Sequence, residues 1–438
     1  MGDQLASSSP VPDGRWSRLA RLGSLATGVA GGMLAEGARQ LAQGKRPRIS
    51  DLLLTPANER RVADQLAQLR GAAMKVGQLI SMDAGDLLPP DLAVILARLR
   101  AEAHPMPMSQ LVSVLNANWG AGWEQQFEQF SFTPVAAASI GQVHLARTRD
   151  GRHLAIKVQY PGIRQSIDSD VDNVAALLRV SGLLPKTLDI KPLLDEAKRQ
   201  LHAEADYLRE GEWLRQYRLL LADAPDFSLP ELHADLTTVN VLAMSRMDGV
   251  PVESLIDAPQ AERDRVAGLL ITLVFREIFE FRLIQTDPNF ANYRIDPATR
   301  QLILLDFGAT RAYPEAMVDA YRRLMTGAIA DDRKAIGLAA ADIGYFQADI
   351  EAHQRETVLD IFAQACEPLR HAGAYDFAGS GLAARIRDTG LILARDRDFW
   401  HTPPADALFL HRKLVGLYLL AARLRARVNV RDLANGVF

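Results

Sequence analysis

Polar and apolar positions change period along the chain, and the changes mark its elements. Between residues 50 and 130 the pattern is helical. Val62, Leu66 and Leu69 recur within Asn58–Arg70, the spacing of one face of an α-helix. Pro89-Pro90-Asp91 opens a further helix and Met106-Pro107 closes it. After Phe132-Thr133-Pro134 the texture becomes strand-like. Residues 135–146 read as strand, turn and strand, with an Ala-rich core helix as the alternative. Leu154-Ala155-Ile156-Lys157-Val158 reads as a second strand, joined through an Asp150-Gly151 turn. Helical patterns return at Asp168–Val180, an insertion into this lobe, and over a long stretch from Ile190 to Gln216. A strand around Val239–Met244 then ends in a short polar stretch and Gly249. Residues 260–283 read as an apolar helix. After Gly308 the chain reads as helical to its end, and Ala407–Arg427, apolar and arginine-laced, reads as a core-packed amphipathic helix.

One stretch in this pattern carries chemistry. Gln285-Thr286-Asp287-Pro288-Asn289-Phe290-Ala291-Asn292 is followed by Leu304-Leu305-Asp306-Phe307-Gly308. Phosphoryl transfer needs one carboxylate to orient or deprotonate the acceptor, here Asp287. It also needs an amide oxygen and a second carboxylate to hold magnesium, here Asn292 and Asp306. Mg²⁺ takes a few hard oxygen ligands and keeps waters, so those two suffice. Asp-Phe-Gly by itself occurs by chance; the ordered set is far more specific. A polar turn followed by a buried strand is the bland alternative.

Lys157 and its flanks extend the set. A lysine at the inner end of an apolar strand calls for an anion, which the phosphates of ATP supply in kinases. Laid on the kinase phosphate loop G-x-G-x-x-G-x-V, the upstream segment places Ala136, Ala138, Gly141 and Val143 at the fixed positions. Val135, Ala136, Ala137, Ala138 and Ser139 are thus the candidate nucleotide loop, closing differently because alanine limits φ and adds a methyl. Backbone at Met244, Ser245, Arg246 and Met247 suits a hinge that meets an adenine edge. Kinases pair this lysine with a helix glutamate; Asp195, Glu196, Glu204, Asp206 and Glu210 are all candidates, and spacing does not choose among them. Lys75 and Gln78 share one helix face, which an ordinary surface helix also explains.

Two features are missing. Gln285-Thr286 stand where protein kinases carry His-Arg, so no receptor for a phosphorylated activation loop is evident. Pro314-Glu315, where a helix starts, follows Asp306 by eight residues, which leaves almost no peptide platform. Both disfavour a protein substrate.

Composition narrows the classes further. The chain has 438 residues, 48% hydrophobic and 24% charged, with a net charge of −3, which argues against a nucleic-acid partner. A single cysteine, Cys366, rules out an intramolecular disulfide and a Cys-based zinc site, and reads as a small core residue. No apolar run reaches membrane-spanning length. Residues 1–20 read as disordered. Asp3 and Asp13 argue against a transit peptide, and Ala6 breaks the myristoylation pattern. Gly28 and Gly32, preceded by Arg15, Arg18 and Arg21, read either as a membrane-contacting helix or as a loosely packed surface one.

Lys75-Val76-Gly77-Gln78, the alanine-rich Ala136–Ser139 loop, Glu204-Ala205-Asp206 and the Asp287/Asn292/Asp306 set together resemble the UbiB/AarF (ADCK) family of atypical kinases linked to ubiquinone biosynthesis. The resemblance covers about residues 50–438. It implies an α+β, two-lobed atypical-protein-kinase-like fold with a helical N-terminal KxGQ extension and a largely helical C-lobe. The divisions would be a flexible N-terminus over 1–48, the extension over 49–130, the N-lobe over 131–247 and the C-lobe over 248–438. It implies that Lys75 meets Glu204, that Gln78 helps close the site, and that Glu204 and Glu210 are both family acidic positions. It implies ATP or ADP with Mg²⁺, ATPase chemistry or a small-molecule or lipid acceptor, and contact with lipid quinone precursors, ubiquinone-biosynthesis enzymes and membranes. The location implied is cytoplasmic, peripheral at the inner membrane through residues 15–45. A true protein kinase and a nucleotide-gated scaffold for biosynthetic enzymes are the rival readings.

Overall fold

The computed structural model describes Ala72, Lys75, Val76 and residues 106–180, 190–346, 350–395 and 403–437. The expectations for residues 1–45, for Gln78 and for the helix opening at Pro89 lie outside the described residues. The chain divides into two compact units. One holds Ala72, Lys75 and Val76 with the described part of Leu88–Gly211 and Leu232–Arg246, and the other holds Glu212–Glu231 and Met247 onward.

The first unit is an antiparallel sheet with helices. Helix α1 (Met108–Trp119) and a 3₁₀ turn lead into strand β1 (Phe127–Phe130). This strand corrects the helical reading of 50–130: Phe-Glu-Gln-Phe is too short to show a period, and it pairs with the sheet edge at Phe127↔Thr148. Strands β2 (Ala136–Ala137), β3 (Gly141–Thr148) and β4 (His153–Gln159) follow. Gly151 turns β3 into β4 at φ +90°, a conformation glycine adopts without penalty. The chain passes through helices α2 (Ile163–Val180), α3 (Lys191–Glu204) and α4 (Tyr207–Leu220) and strand β5 (Phe227–Ser228) before β6 (Val241–Ser245). The sheet order is β1-β3-β4-β6, with β2 on β3. Along β4, side chains alternate between faces. Leu154, Ile156 and Val158 point into a core with Leu111, Leu115, Trp123 and Phe127; Ala155, Lys157 and Gln159 face the other way.

The expected long helix from Ile190 to Gln216 is two helices, broken at Ala205-Asp206. The Asp206 carboxylate accepts from the Arg209 N–H at 3.1 Å, restarting the helix as an N-cap does. The apolar period continues through the break, so it could not reveal it.

The second unit is largely helical. Helix α5 (Gln260–Arg276) does not run to residue 283. It widens into a π-turn (Glu277–Phe281) and ends at Arg282 in the left-handed conformation, and the triplet Leu283-Ile284-Gln285 after it is strand β8 (Leu283–Gln285). Strand β7 is Val250–Pro251, and β9 (Tyr293–Ile295) and β10 (Leu302–Leu304) pair antiparallel. Strand β11 (Thr310–Ala312) returns onto β8. The reading of continuous helix after Gly308 is corrected by β11 and by two-residue strands β12 (Tyr375–Asp376) and β13 (Arg427–Val428), segments too short for a period. Helices α6 (Glu315–Ile329), α7 (Arg333–Ile343), α8 (Ala352–Ala365), α9 (Glu367–Arg370), α10 (Leu382–Arg395), α11 (Ala405–Arg423) and α12 (Val430–Asn435) complete the unit. Cys366 sits buried at the junction of α8 and α9, and burial pushes its thiol up to about 12. Among the described residues no helix is long and apolar enough to cross a membrane.

Candidate active site

Each unit carries part of the expected set. In the first, strand register puts Lys157 between Val143 and Leu242. Helix α4 covers that face of β4. The Lys157 ammonium donates to both oxygens of Glu210, at 2.8 and 3.0 Å. It also lies 5.2 Å from the Tyr207 ring centre, a favourable cation–π distance. Both members of the pair are buried, and a buried ion pair holds only when the geometry is good and further contacts help. Of the five acidic residues offered by spacing, Glu210 therefore meets Lys157.

Glu204 serves a different lysine. Its carboxylate pairs with buried Lys75 and accepts a hydrogen bond from the Ser139 hydroxyl at 2.9 Å. Six residues apart on one unbroken helix, Glu204 and Glu210 would point about 120° apart at 3.6 residues per turn. The break at Ala205-Asp206 re-aims the second of them. The structure thus brings Lys75, Ser139 and Glu204 together, and Lys157 with Glu210. It does not bring Glu204 to Lys157.

The alanine-rich segment is the strand–turn–strand, not a helix. Ala136 and Ala137 pair with Val143 and Gln142, and the Ala138 N–H bonds Gly141 O at 2.9 Å. Val135 is exposed. A Cβ at Gly141 would overlap the Val158 carbonyl oxygen, so close backbone approach explains the one glycine kept there. Met244 is buried, Ser245 ends β6, and the Arg246 N–H bonds His153 O at 2.8 Å. The chain leaves the first unit after Arg246, and Met247 begins its return to the second.

In the second unit, Asp287 and Asn292 occupy the loop between β8 and β9, and Asp306 follows β10. The Leu305 N–H bonds Asn292 O at 3.1 Å, and the Thr286 N–H bonds Ala309 O at 3.2 Å. These bonds stitch the two motifs into one frame. The Asn292 amide reaches the Asp287 Oδ2 at 3.4 Å, and Asp306 Oδ1 accepts from the Gly308 N–H at 2.9 Å. Phe307 packs on Tyr217, with ring centres 4.8 Å apart. An amide oxygen and a carboxylate are hard donors of the type magnesium takes. Among the described residues no cluster of three His, Cys, Asp or Glu side chains is placed to hold a metal.

Two functional neighbours escape sequence reasoning. Helix α11 is core-packed through Phe409, Leu410 and Leu420, yet Arg412 on it donates to Asp287 Oδ1 at 2.6 Å. Lys413, next in the helix, is buried and donates to Gln285 Oε1 at 3.2 Å and to the Tyr293 hydroxyl at 2.9 Å. It lies 3.5 Å from Glu277, which accepts from the Tyr217 hydroxyl at 2.8 Å. Burial works against the Lys413 charge, but Glu277 and Tyr293 hold its ammonium above the ordinary lysine range. Burial, and next Glu277, push the Tyr217 phenol far up, so it stays a donor. The signal was an Arg-Lys pair inside an otherwise apolar helix, but sequence separation concealed its target.

A glutamate-paired lysine on a central antiparallel strand, with Asp, Asn and Asp-Phe-Gly framed on paired strands, defines a kinase-like protein. Residues 98–339 match the model of the ABC1 atypical kinase-like domain, and the chain belongs to that family of atypical kinases. It is 36% identical over 438 residues to the atypical kinase COQ8, mitochondrial, of Saccharomyces cerevisiae, covering 100% of this chain and 87% of the relative. It is 37% identical to the atypical kinase COQ8B, mitochondrial, of Rattus norvegicus, over 98% of this chain and 81% of the relative. In fold it is similar to Rv3197 of Mycobacterium tuberculosis, solved with erythromycin, with TM-score 0.59, 24% identity, and coverage of 85% of this chain and 93% of that one.

Proposed function

We propose that the chain binds Mg-ATP and works as an ATPase or small-molecule phosphotransferase that supports ubiquinone biosynthesis. Lys157 holds the phosphates, and Asn292 and Asp306 hold Mg²⁺. The ion, when bound, neutralises charge on the phosphates. Asp287 orients the acceptor, either water or a small lipid-like hydroxyl compound. The Ala136–Ser139 loop lies over the phosphates, and backbone at Met244–Met247 meets the base. Lys75 and Glu204, with Gln78, form the closing element.

The observation that carries the reading is the frame joining Asp287, Asn292 and Asp306 through the Leu305–Asn292 hydrogen bond. Chain economy supports a small acceptor. Helix α6 starts at Glu315 behind Pro314, so Asp306 is followed by only the short strand β11 before the next helix. The relatives' names place them in mitochondria, and we extend to this chain a peripheral position on an energy-transducing inner membrane, together with partner enzymes of quinone assembly. The test is Mg-dependent ATP turnover by Asp287→Asn. The expected outcome is a loss of about 100-fold or more with Mg-ATP binding retained; unchanged turnover removes Asp287 from the reaction.

A further inference from the structure

We propose that helix α11 is the positioning device of the catalytic loop, with Arg412, Lys413 and Gly416 each fixing a different part of it. The inference rests on the role assigned above to Asp287. Three independent contacts carry it. Lys413 donates to Gln285 at the end of β8 and to Tyr293 at the start of β9, so one ammonium clamps both ends of the loop 286–292. Arg412 grips Asp287 Oδ1 between those ends, and Asp287 Oδ2 is the oxygen turned to Asn292. Gly416, one helical turn beyond Arg412, seats Pro288: a Cβ at 416 would overlap the Pro288 Cβ and come within 2.7 Å of its Cγ.

The chemistry explains why such a device is needed. Gln285-Thr286 replace the basic residue that precedes the aspartate in protein kinases, so the loop has no cation of its own beside Asp287. Arg412 supplies one from 125 positions away. The Arg412 guanidinium on Oδ1 and the Asn292 amide on Oδ2 hold the Asp287 carboxylate from both oxygens and so set its plane. Orientation of that kind matters at the scale of a single ångström. Arg412 Nη1 is buried without a hydrogen-bond partner among the described residues, so the contact with Asp287 is the side chain's described polar anchor.

The experiment uses the full chain, with Mg-dependent ATP hydrolysis, Mg-ATP affinity and melting temperature measured on the same preparations. For Arg412→Gln the expected result is kcat down about 100-fold with Mg-ATP affinity and melting temperature unchanged, and partial recovery in Arg412→Lys. Gly416→Ala changes no charge and is expected to lower kcat with Mg-ATP affinity unchanged by displacing Pro288, its melting temperature falling with the steric overlap. Wild-type kcat in Arg412→Gln beside an inactive Asp287→Asn overturns this inference alone. So does a kcat loss in Arg412→Gln that follows the melting temperature, or an Arg412→Lys no better than Arg412→Gln. Full turnover by Asp287→Asn, or no turnover by the wild-type chain, removes the functional reading and this inference with it.

Discussion

Lys157 and Lys413 are both buried beside a glutamate, and the two are held in different ways. The Lys157 ammonium sits between both oxygens of Glu210, above the Tyr207 ring. The Lys413 ammonium is shared among the Glu277 carboxylate, the Gln285 amide and the Tyr293 hydroxyl, and Glu277 is itself fixed by Tyr217. A carboxylate that grips with two oxygens competes directly with a phosphate for the same ammonium. A network spread over four side chains gives an incoming anion no single partner to replace. The first arrangement suits a ligand-responsive site and the second a scaffold. His411, beside Arg412 in the same helix, completes the contrast. It is partly buried against the Tyr345 and Tyr321 hydroxyls, and loss of hydration there drives its pKa down to about 4. Burial with a carboxylate keeps a cation charged; burial among phenols discharges it.

The contrast can be broken in four places. Lys413→Met strands Glu277, and losing one partner of a buried pair costs about 3–5 kcal/mol; denaturant unfolding measures it, and a loss below about 1 kcal/mol would remove the scaffold role. His411 makes the second test. Below about pH 6.5 the unfolded chain binds a proton at this position that the folded chain refuses until about pH 4. Stability from this group is therefore full above pH 6.5 and lost as the pH falls to about 4, by about 3 kcal/mol in all. His411→Phe should flatten unfolding free energy across that window, and an unchanged slope would count against a neutral buried imidazole. Third, hundredfold excess Mg-ATP over its Kd should stabilise the wild-type chain by about 2.7 kcal/mol. Lys157→Met should abolish that increment, and its survival would show that Lys157 is no phosphate ligand. Smallest is Ser139→Ala, which removes one hydrogen bond from Glu204 and should cost about 1 kcal/mol by the same unfolding measurement.

What the sequence revealed and what it concealed divide along physical lines. Asp287, Asn292 and Asp306 were legible as one candidate set because the set is defined by residue type at short spacing, and the structure frames them together through the Leu305–Asn292 bond. The hairpin around Gly151 was legible for the same local reason. The partner of Lys157 was not, since Glu204 and Glu210 differ only by a helix break that leaves the apolar period intact. The π-turn at Glu277 was hidden because the mixed apolar and charged helical pattern runs on through Glu277–Phe281. Strand β1 was hidden by its length. The target of Arg412 was hidden most completely: the Arg-Lys pair stands out in its helix, but a contact across 125 positions lies outside any window of local pattern.

The family match ends at residue 339, whereas α11 begins at Ala405. A chain cut back to the matched region would keep Asp287, Asn292 and Asp306 and lose the helix that grips their loop. By the same reasoning, a premature stop between those two points leaves Asp287, Asn292 and Asp306 in place but strips their loop of its Arg412 and Lys413 contacts, so an intact motif set in a shortened relative is poor evidence of a working enzyme.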